Sequence, residues 1–438
     1  MPHPMNCRVL LRRGSRQPLR FTAHAPMTLV ISVQLFYSCL SPFFESHTMT
    51  KYATLPLRHT LPTVHPTSRL LIAAACSLSL GATTMAPLAQ AASHTAAMPA
   101  ATSSAMSKTG TAFKADADMQ AVLDELAALG GKPIESLTPE EARKQPTPAD
   151  AVMSLLKKKG KDTSPTALVP GVTSVDRDIP GAAGNIAARI YTPDGPGPFP
   201  VVVYFHGGGW VIADKAVYDG GPRGLAKQAQ AVVVSVDYRR SPEVKFPAAW
   251  DDSLAAYKWA SGNAASIKGD PMRRALAGES AGGNLAVSTA IAVRDAGLTM
   301  PTHVLAVYPV GQTGNLNTKS YQDSETAKPL NKAMIGWFVD KLLAKPDDKM
   351  DTRLDIVNAK LAGLPPVTII NAQIDPLRED GALLETALKK AGVKVKRTVY
   401  SGVTHEFFGM APVVKKAAEA QMMGGKELRD SFKASAKK

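Results

Sequence analysis

A mostly parallel, doubly wound sheet with helices on both faces is the fold that this 438-residue sequence predicts. Three observations carry that α/β reading. Short runs at 200–205 and 231–238 are apolar on both faces, as suits strands inside a parallel sheet. Helix-length segments alternate with strand-length ones along the second half of the chain, the pattern of a sheet wound with crossover helices. Finally, Gly278-Glu279-Ser280-Ala281-Gly282 sits between the apolar stretch 274–277 and the long apolar run 284–293. A serine flanked by glycines at a strand-to-helix turn is a nucleophile elbow, and the turn context is what separates it from a chance match.

The elements follow in order. Met119, Val122, Leu123, Leu126 and Leu129 recur at helical spacing, and Gly130-Gly131 ends that helix. Thr138 is the N-cap of a second helix, with Pro139 at its first position and Glu141 completing a capping box. A third helix covers 149–159. Residues 186–191 read as an early antiparallel strand, followed by strands at 200–205 and 231–238 and a helix at 251–261. Beyond the elbow come strands at 303–308, 366–372 and 394–400, with helices at 334–343 and 381–391 between them. No internal repeat is visible.

The N-terminal quarter reads differently. Met49 opens a basic stretch with Lys51, Arg58 and Arg69, residues 70–80 are apolar, and Ala89-Gln90-Ala91 offers small residues before Ala92. That is a secretory signal peptide over 49–91, cut before Ala92, and it predicts a secreted or periplasmic protein. Its apolar core is too short for a stable membrane anchor, which needs about 20 residues. Residues 1–48 read as an extension from a misassigned start, and 92–114, rich in Ala, Ser and Thr, as a flexible leader. The folded part then divides into 115–165, helical, 166–425, the α/β domain, and 426–438, a basic tail. The formal charge is +14, but residues 1–91 contribute eight Lys/Arg against one Asp/Glu. The remaining 43 basic and 36 acidic side chains are spread out, a solvated surface rather than a nucleic-acid face. All three cysteines, Cys7, Cys39 and Cys76, precede residue 92, so the mature chain would have no disulfide, Cys-bound metal or cysteine nucleophile.

A serine hydroxyl needs a base. Of nine histidines, six lie before residue 115, leaving His206, His303 and His405. His303 begins an apolar strand and reads as structural. His206 leads into Gly207-Gly208-Gly209-Trp210. His405 falls just after the last strand, where an imidazole can reach the elbow, and is the expected base. Asp375, at the end of the 366–372 strand, is the expected acid that orients it. Glu379 and Asp380 are nearby rivals that suit the first turn of the next helix better. Gly207, Gly208 and Gly209, after a buried strand, and the Ala281 N–H offer an oxyanion hole.

These residues resemble the hormone-sensitive-lipase-like esterases, also called bacterial family IV. The resemblance rests on His206–Trp210, on 278–284, on Tyr238-Arg239-Arg240-Ser241-Pro242-Glu243, on 375–381 and on Gly402–Phe407, and it covers about 115–425. It implies an α/β-hydrolase fold with an N-terminal helical cap over the pocket, so that 115–165 becomes a lid. It also implies cofactor-free hydrolysis of short- to medium-chain carboxylic esters. Two departures stand out. Glu279 occupies a position where that family commonly has Asp, and Arg240 one where it has an apolar residue. Neither falls on the triad Ser280, Asp375, His405; both bear on lid packing and substrate preference.

The expected function is therefore a serine carboxylesterase acting through an acyl-enzyme, with no cofactor and no metal. An amidase or other acyl-transfer hydrolase would use the same triad and stays open. A non-catalytic binding relative would be expected to have lost a triad member. The expected partner is a small-molecule ester, with no nucleic acid and no stable membrane anchor, and a homodimer is allowed.

Overall fold

The computed structural model describes residues 113–436. The N-terminal extension, the signal peptide and nearly all of the leader lie outside these residues. The described chain opens with four helices, α1 (Ala117–Ala128), α2 (Pro139–Ala142), α3 (Pro148–Lys158) and α4 (Pro165–Leu168). It continues through β1 (Val172–Gly181), β2 (Gly184–Pro193), β3 (Phe199–Phe205), α5 (Gly220–Ala229), β4 (Val232–Val236) and α6 (Ala248–Asn263). Then come β5 (Gly269–Glu279), α7 (Ala281–Asp295), β6 (Val304–Val307), α8 (Lys319–Asp323) and α9 (Lys332–Leu342). The last elements are β7 (Val367–Ile374), α10 (Arg378–Lys390), β8 (Val395–Thr404) and α11 (Lys415–Ser435).

The eight strands form one sheet in the order β1-β2-β4-β3-β5-β6-β7-β8. β1, β2 and β4 pair antiparallel, and every pairing from β4 to β8 is parallel. Successive strand side chains point to opposite faces, and here both faces are filled. Val201, Val203 and Phe205 of β3, with Leu276 of β5 and Val304 of β6, pack against α6, α7, α9 and α10. Their neighbours Val202, Tyr204, Ala275, Ala277 and Leu305 pack against α1, α3, α5 and α11. This two-sided burial is why those strands read as unbroken apolar runs.

The N-terminal helices form where their caps dictate. Thr138 accepts from the Glu141 N–H while the Glu141 carboxylate takes the Thr138 N–H, as the sequence pattern requires. A second such box, Thr147 with Asp150, starts α3. These helices do not close a core of their own. Met119, Val122, Val152 and Leu156 join the same apolar cluster as the sheet.

Two readings change. The segment 426–438 is not a separate tail through residue 436: α11 runs unbroken to Ser435, with Leu428 and Phe432 buried. Its basic residues lie on the solvent side of an amphipathic helix, and charge alone hid the apolar stripe. The antiparallel lead-in has two strands, not one, because β1 pairs with β2 along its whole length. β1 is mostly exposed, so it carries little apolar signal.

Candidate active site

The residues singled out at strand ends all meet at one edge of the sheet. His206 follows β3, Ser280 follows β5, Asp375 follows β7 and His405 follows β8. Carboxyl ends of parallel strands are where open α/β sheets bind ligands.

Ser280 has φ 57° and ψ −119°, strained for a residue with a Cβ. The turn is so tight that its flanking positions have no room for a side chain. A Cβ on Gly278 would sit 2.1 Å from the Gly282 carbonyl oxygen, and one on Gly282 would sit 2.0 Å from the Phe205 carbonyl oxygen. The pentapeptide's glycines are thus a packing requirement of β3 against the start of α7.

His405 Nε2 lies 3.0 Å from Ser280 Oγ, and its Nδ1 lies 2.8 Å from Asp375 Oδ2. A carboxylate only accepts hydrogen bonds, so Nδ1 donates and Nε2 is left to accept the serine hydroxyl hydrogen. Asp375 is fixed in turn, its Oδ1 accepting the Leu377 N–H at 2.8 Å. All three side chains are buried. Burial alone would push the His405 imidazole down. The adjacent Asp375 carboxylate and its hydrogen bond more than reverse that, and the imidazole titrates above its ordinary value.

The rival acids are elsewhere. Asp380 accepts the Gly311 N–H, and Glu379 accepts the Ser320 N–H. His303 is structural: its Nε2 pairs with Thr368 Oγ1 at 2.9 Å, and burial pushes it down to about 4. His206 is fully buried and stacks on Tyr238 with ring centroids 4.4 Å apart, a platform beneath the glycine loop.

Of the glycine run, Gly208 and Gly209 line the chamber that also holds Ser280 and His405. Both have positive φ, 92° and 59°. A Cβ on Gly209 would sit 2.3 Å from the Phe338 ring. No protein acceptor among the described residues takes the N–H of Gly208, Gly209 or Ala281. Gly207 is set back from the chamber. Its carbonyl receives the Tyr238 hydroxyl, and a Cβ there would meet the Tyr218 hydroxyl.

The chamber has a volume of about 360 Å³. Its walls come from α1 (Leu123, Leu126), from the 131–148 segment, and from Leu330, Met334 and Phe338. Arg143, just after α2, pins that side down. Its guanidinium grips the Glu243 carboxylate at 2.7 and 2.8 Å and also donates to the Val211 and Ser241 carbonyls. The Arg143 contact holds Glu243 well below its ordinary range, at about 2. Trp337 donates to the Leu137 carbonyl at 3.1 Å.

Three groups near the triad were not foreseen in sequence. Glu279, which departs from the resembling pattern, is buried between the hydroxyls of Tyr204 and Tyr308. Burial pushes its carboxyl up to about 8, against the opposing effect of those hydrogen bonds. Tyr308 also packs on the His405 ring with centroids 4.4 Å apart. Glu406 accepts the Tyr218 hydroxyl at 2.5 Å, and burial pushes it up as well. The only sequence signal was the longer carboxylate at 279. The other departure, Arg240, hydrogen-bonds the Ala213 carbonyl beside the glycine loop. Among the described residues, no cluster of three or more His, Cys, Asp or Glu is arranged to hold a metal ion.

Comparison with known proteins points in one direction. The family model described as an alpha/beta hydrolase fold matches residues 202–409. The chain is similar to the carboxylesterase NlhH of Mycobacterium tuberculosis, 39% identical over 271 residues that span 60% of this chain and 83% of the relative. An ethyl acetate hydrolase of Pseudomonas putida is 29% identical over 66% of this chain and 90% of its own length. Among solved structures, a hyperthermophilic esterase from the archaeon Pyrobaculum calidifontis matches with TM-score 0.65 at 32% identity, covering 73% of this chain and 99% of that one. A thermostable esterase from Pseudomonas putida matches with TM-score 0.65 at 30% identity, covering 73% and 98%.

Proposed function

The chain belongs to the hormone-sensitive-lipase-like esterases of the α/β-hydrolase fold and is a carboxylic ester hydrolase, and from that premise we propose that it works through a serine nucleophile and an acyl-enzyme. The observation that carries this reading is the single imidazole bridging Ser280 Oγ at 3.0 Å and Asp375 Oδ2 at 2.8 Å. Ser280 Oγ attacks the ester carbonyl carbon while His405 Nε2 takes its proton. Asp375 holds the ring in the tautomer that allows this and stabilises the imidazolium. The unpartnered N–H groups of Gly208, Gly209 and Ala281 receive the oxyanion, where preorganised donors act most strongly. Collapse breaks the ester C–O bond, and His405 gives its proton to the departing alcohol. Water, deprotonated by the same imidazole, then attacks the acyl-enzyme and releases the acid.

The N-terminal helices act as the cap, since α1 and the 131–148 segment wall the chamber above Ser280. A chamber of about 360 Å³ lined mainly by apolar side chains suits short- to medium-chain esters of small molecules. The signal-like stretch 49–91 supports export to the periplasm or beyond, which N-terminal sequencing of the natural product would check.

The test is turnover of 4-nitrophenyl esters by Ser280→Ala. Loss of the nucleophile in serine hydrolases costs about 10⁶-fold in kcat. A variant that kept most of its activity would sink the nucleophile assignment. An anilide series run alongside separates ester from amide preference.

A further inference from the structure

A second chamber adjoins the catalytic one. Its volume is about 370 Å³, against about 360 Å³ for the first. Both fall in the roughly 300–1,000 Å³ range of small-molecule sites. The second chamber touches neither Ser280 nor His405. It lies between α3, α5, α11 and the turn at 409–412, and Val152, Met153, Leu168, Met410, Ala418 and Met422 give it an apolar lining.

The two chambers share four residues: Pro148, Val217, Tyr218 and Glu406. Two of these shared wall residues are joined by a hydrogen bond, from the Tyr218 hydroxyl to Glu406 Oε1 at 2.5 Å. That oxygen is 4.0 Å from His405 Nε2, so the pair stands one side chain away from the reacting centre.

Most buried polar groups around the second chamber are already committed. Arg223 is paired with Asp219 at 2.6 Å and stacks over the Tyr191 ring. Gln421 donates to the Phe408 and Gly220 carbonyls. Glu279 is held by the hydroxyls of Tyr204 and Tyr308. Lys227 lies exposed at the rim. Apart from Glu279, Lys227 is the one acidic or basic lining residue with no ion pair among the described residues. What remains is methyl, methylene and thioether surface, and methionine side chains adapt to chains of varied shape.

We propose that this second chamber binds the longer aliphatic arm of the ester substrate, and that the Tyr218–Glu406 partition sets how far the chain enters. The proposal rests on the ester-hydrolase mechanism above. Short esters use the catalytic chamber alone. A longer chain reaches the second chamber only when Tyr218 swings aside, and each methylene that then leaves water adds roughly fourfold to kcat/KM.

Two series of substrates test it, 4-nitrophenyl esters of C2 to C12 acids and acetates of C2 to C12 alcohols. Met153→Trp and Ala418→Phe fill the chamber from opposite walls, with folding checked by thermal denaturation. The expected result is a fall of at least tenfold in the long-to-short ratio of kcat/KM in one series. Which series responds tells whether the acyl or the alcohol chain is bound. Tyr218→Ala, which opens the partition, is expected to move the optimum in that series to longer chains. Tyr218→Phe keeps the ring and moves it less. Tyr218 also supports the glycine loop, so the ratio is read rather than the absolute rate. An unchanged ratio in both series for both filling variants overturns the chamber's role. Wild-type protein inactive on every ester would instead overturn the underlying mechanism.

Discussion

The carboxyl edge of the sheet and the N-terminal helices wall the same chamber, yet they are held in place by different means. Ser280 and Asp375 follow strands buried on both faces, His405 follows the buried end of the edge strand β8, and all three side chains are buried. Moving any of them means moving the core. The helices are pinned at the chamber by Arg143 on a Glu243 carboxylate that is itself 59% exposed, and by single bonds such as Trp337 to Leu137. Exposed ion pairs contribute about 0–1 kcal/mol. The contrast teaches a division of labour. The reacting geometry is set at the strand ends of the sheet. The helices α1 and α3 are seated in the core through Met119, Val122, Val152 and Leu156, but at the chamber rim the helices are held by partly exposed polar links that can be replaced.

Four substitutions sharpen or break that contrast. Asp375→Asn has the largest expected effect, a loss of about 10⁴-fold in kcat, because the amide can hold the wrong imidazole tautomer. It also has a pH signature. His405 works only when neutral, so kcat/KM rises with pH through its pKa, which Asp375 holds above the ordinary value. Without that carboxylate, burial dominates and the acidic limb moves to lower pH. A limb that stays put would mean that another group orients the base.

Gly209→Ala comes next. Its Cβ would collide with Phe338, and its φ of 59° is costly for alanine. Displacing one oxyanion donor is expected to lower kcat by about 10²–10³-fold with little change in KM. An equal rise in KM would place the loop in substrate binding instead. Arg143→Ala comes third. Losing three links to the core is expected to raise KM a few-fold and leave kcat within about twofold. If it cost as much as Gly209→Ala, the helices would be part of the reacting frame and the contrast would fail. Glu243→Gln is expected to do less than Arg143→Ala, since the two carbonyl bonds of Arg143 survive it.

What could be read beforehand follows from what is local. The elbow, the capping box at Thr138 and the apolar strands at β3 and β4 are each set by residues a few positions apart. So is the placement of Asp375 and His405 directly after strands. The helix α5 was not legible, because Gly220, Gly221, Pro222 and Gly224 look like a loop. They are there for closeness rather than for helix propensity: a Cβ on Gly224 would sit 2.0 Å from the Gln421 side chain of α11. Gly207 was read with its neighbours as an oxyanion donor. Only the folded chain shows that Gly208 and Gly209 line the chamber while Gly207 sits behind the Tyr218 hydroxyl. The Glu279 carboxyl between Tyr204 and Tyr308 joins residues 75 and 29 positions away, and no pattern in the chain announces such a pair.

The sequence by itself determined the fold class, the order Ser280, Asp375, His405, and the glycine run ahead of them. It could do so because a tight turn, a cap or a two-sided strand leaves its mark on adjacent residues. Only the tertiary structure decided which hydroxyl, carboxylate or guanidinium each of these meets, and that Tyr218 and Glu406 line both the chamber holding Ser280 and a second one beside it. Those outcomes depend on how helices seat on opposite faces of one sheet, and packing across a hundred or more residues is not written in any short stretch of them.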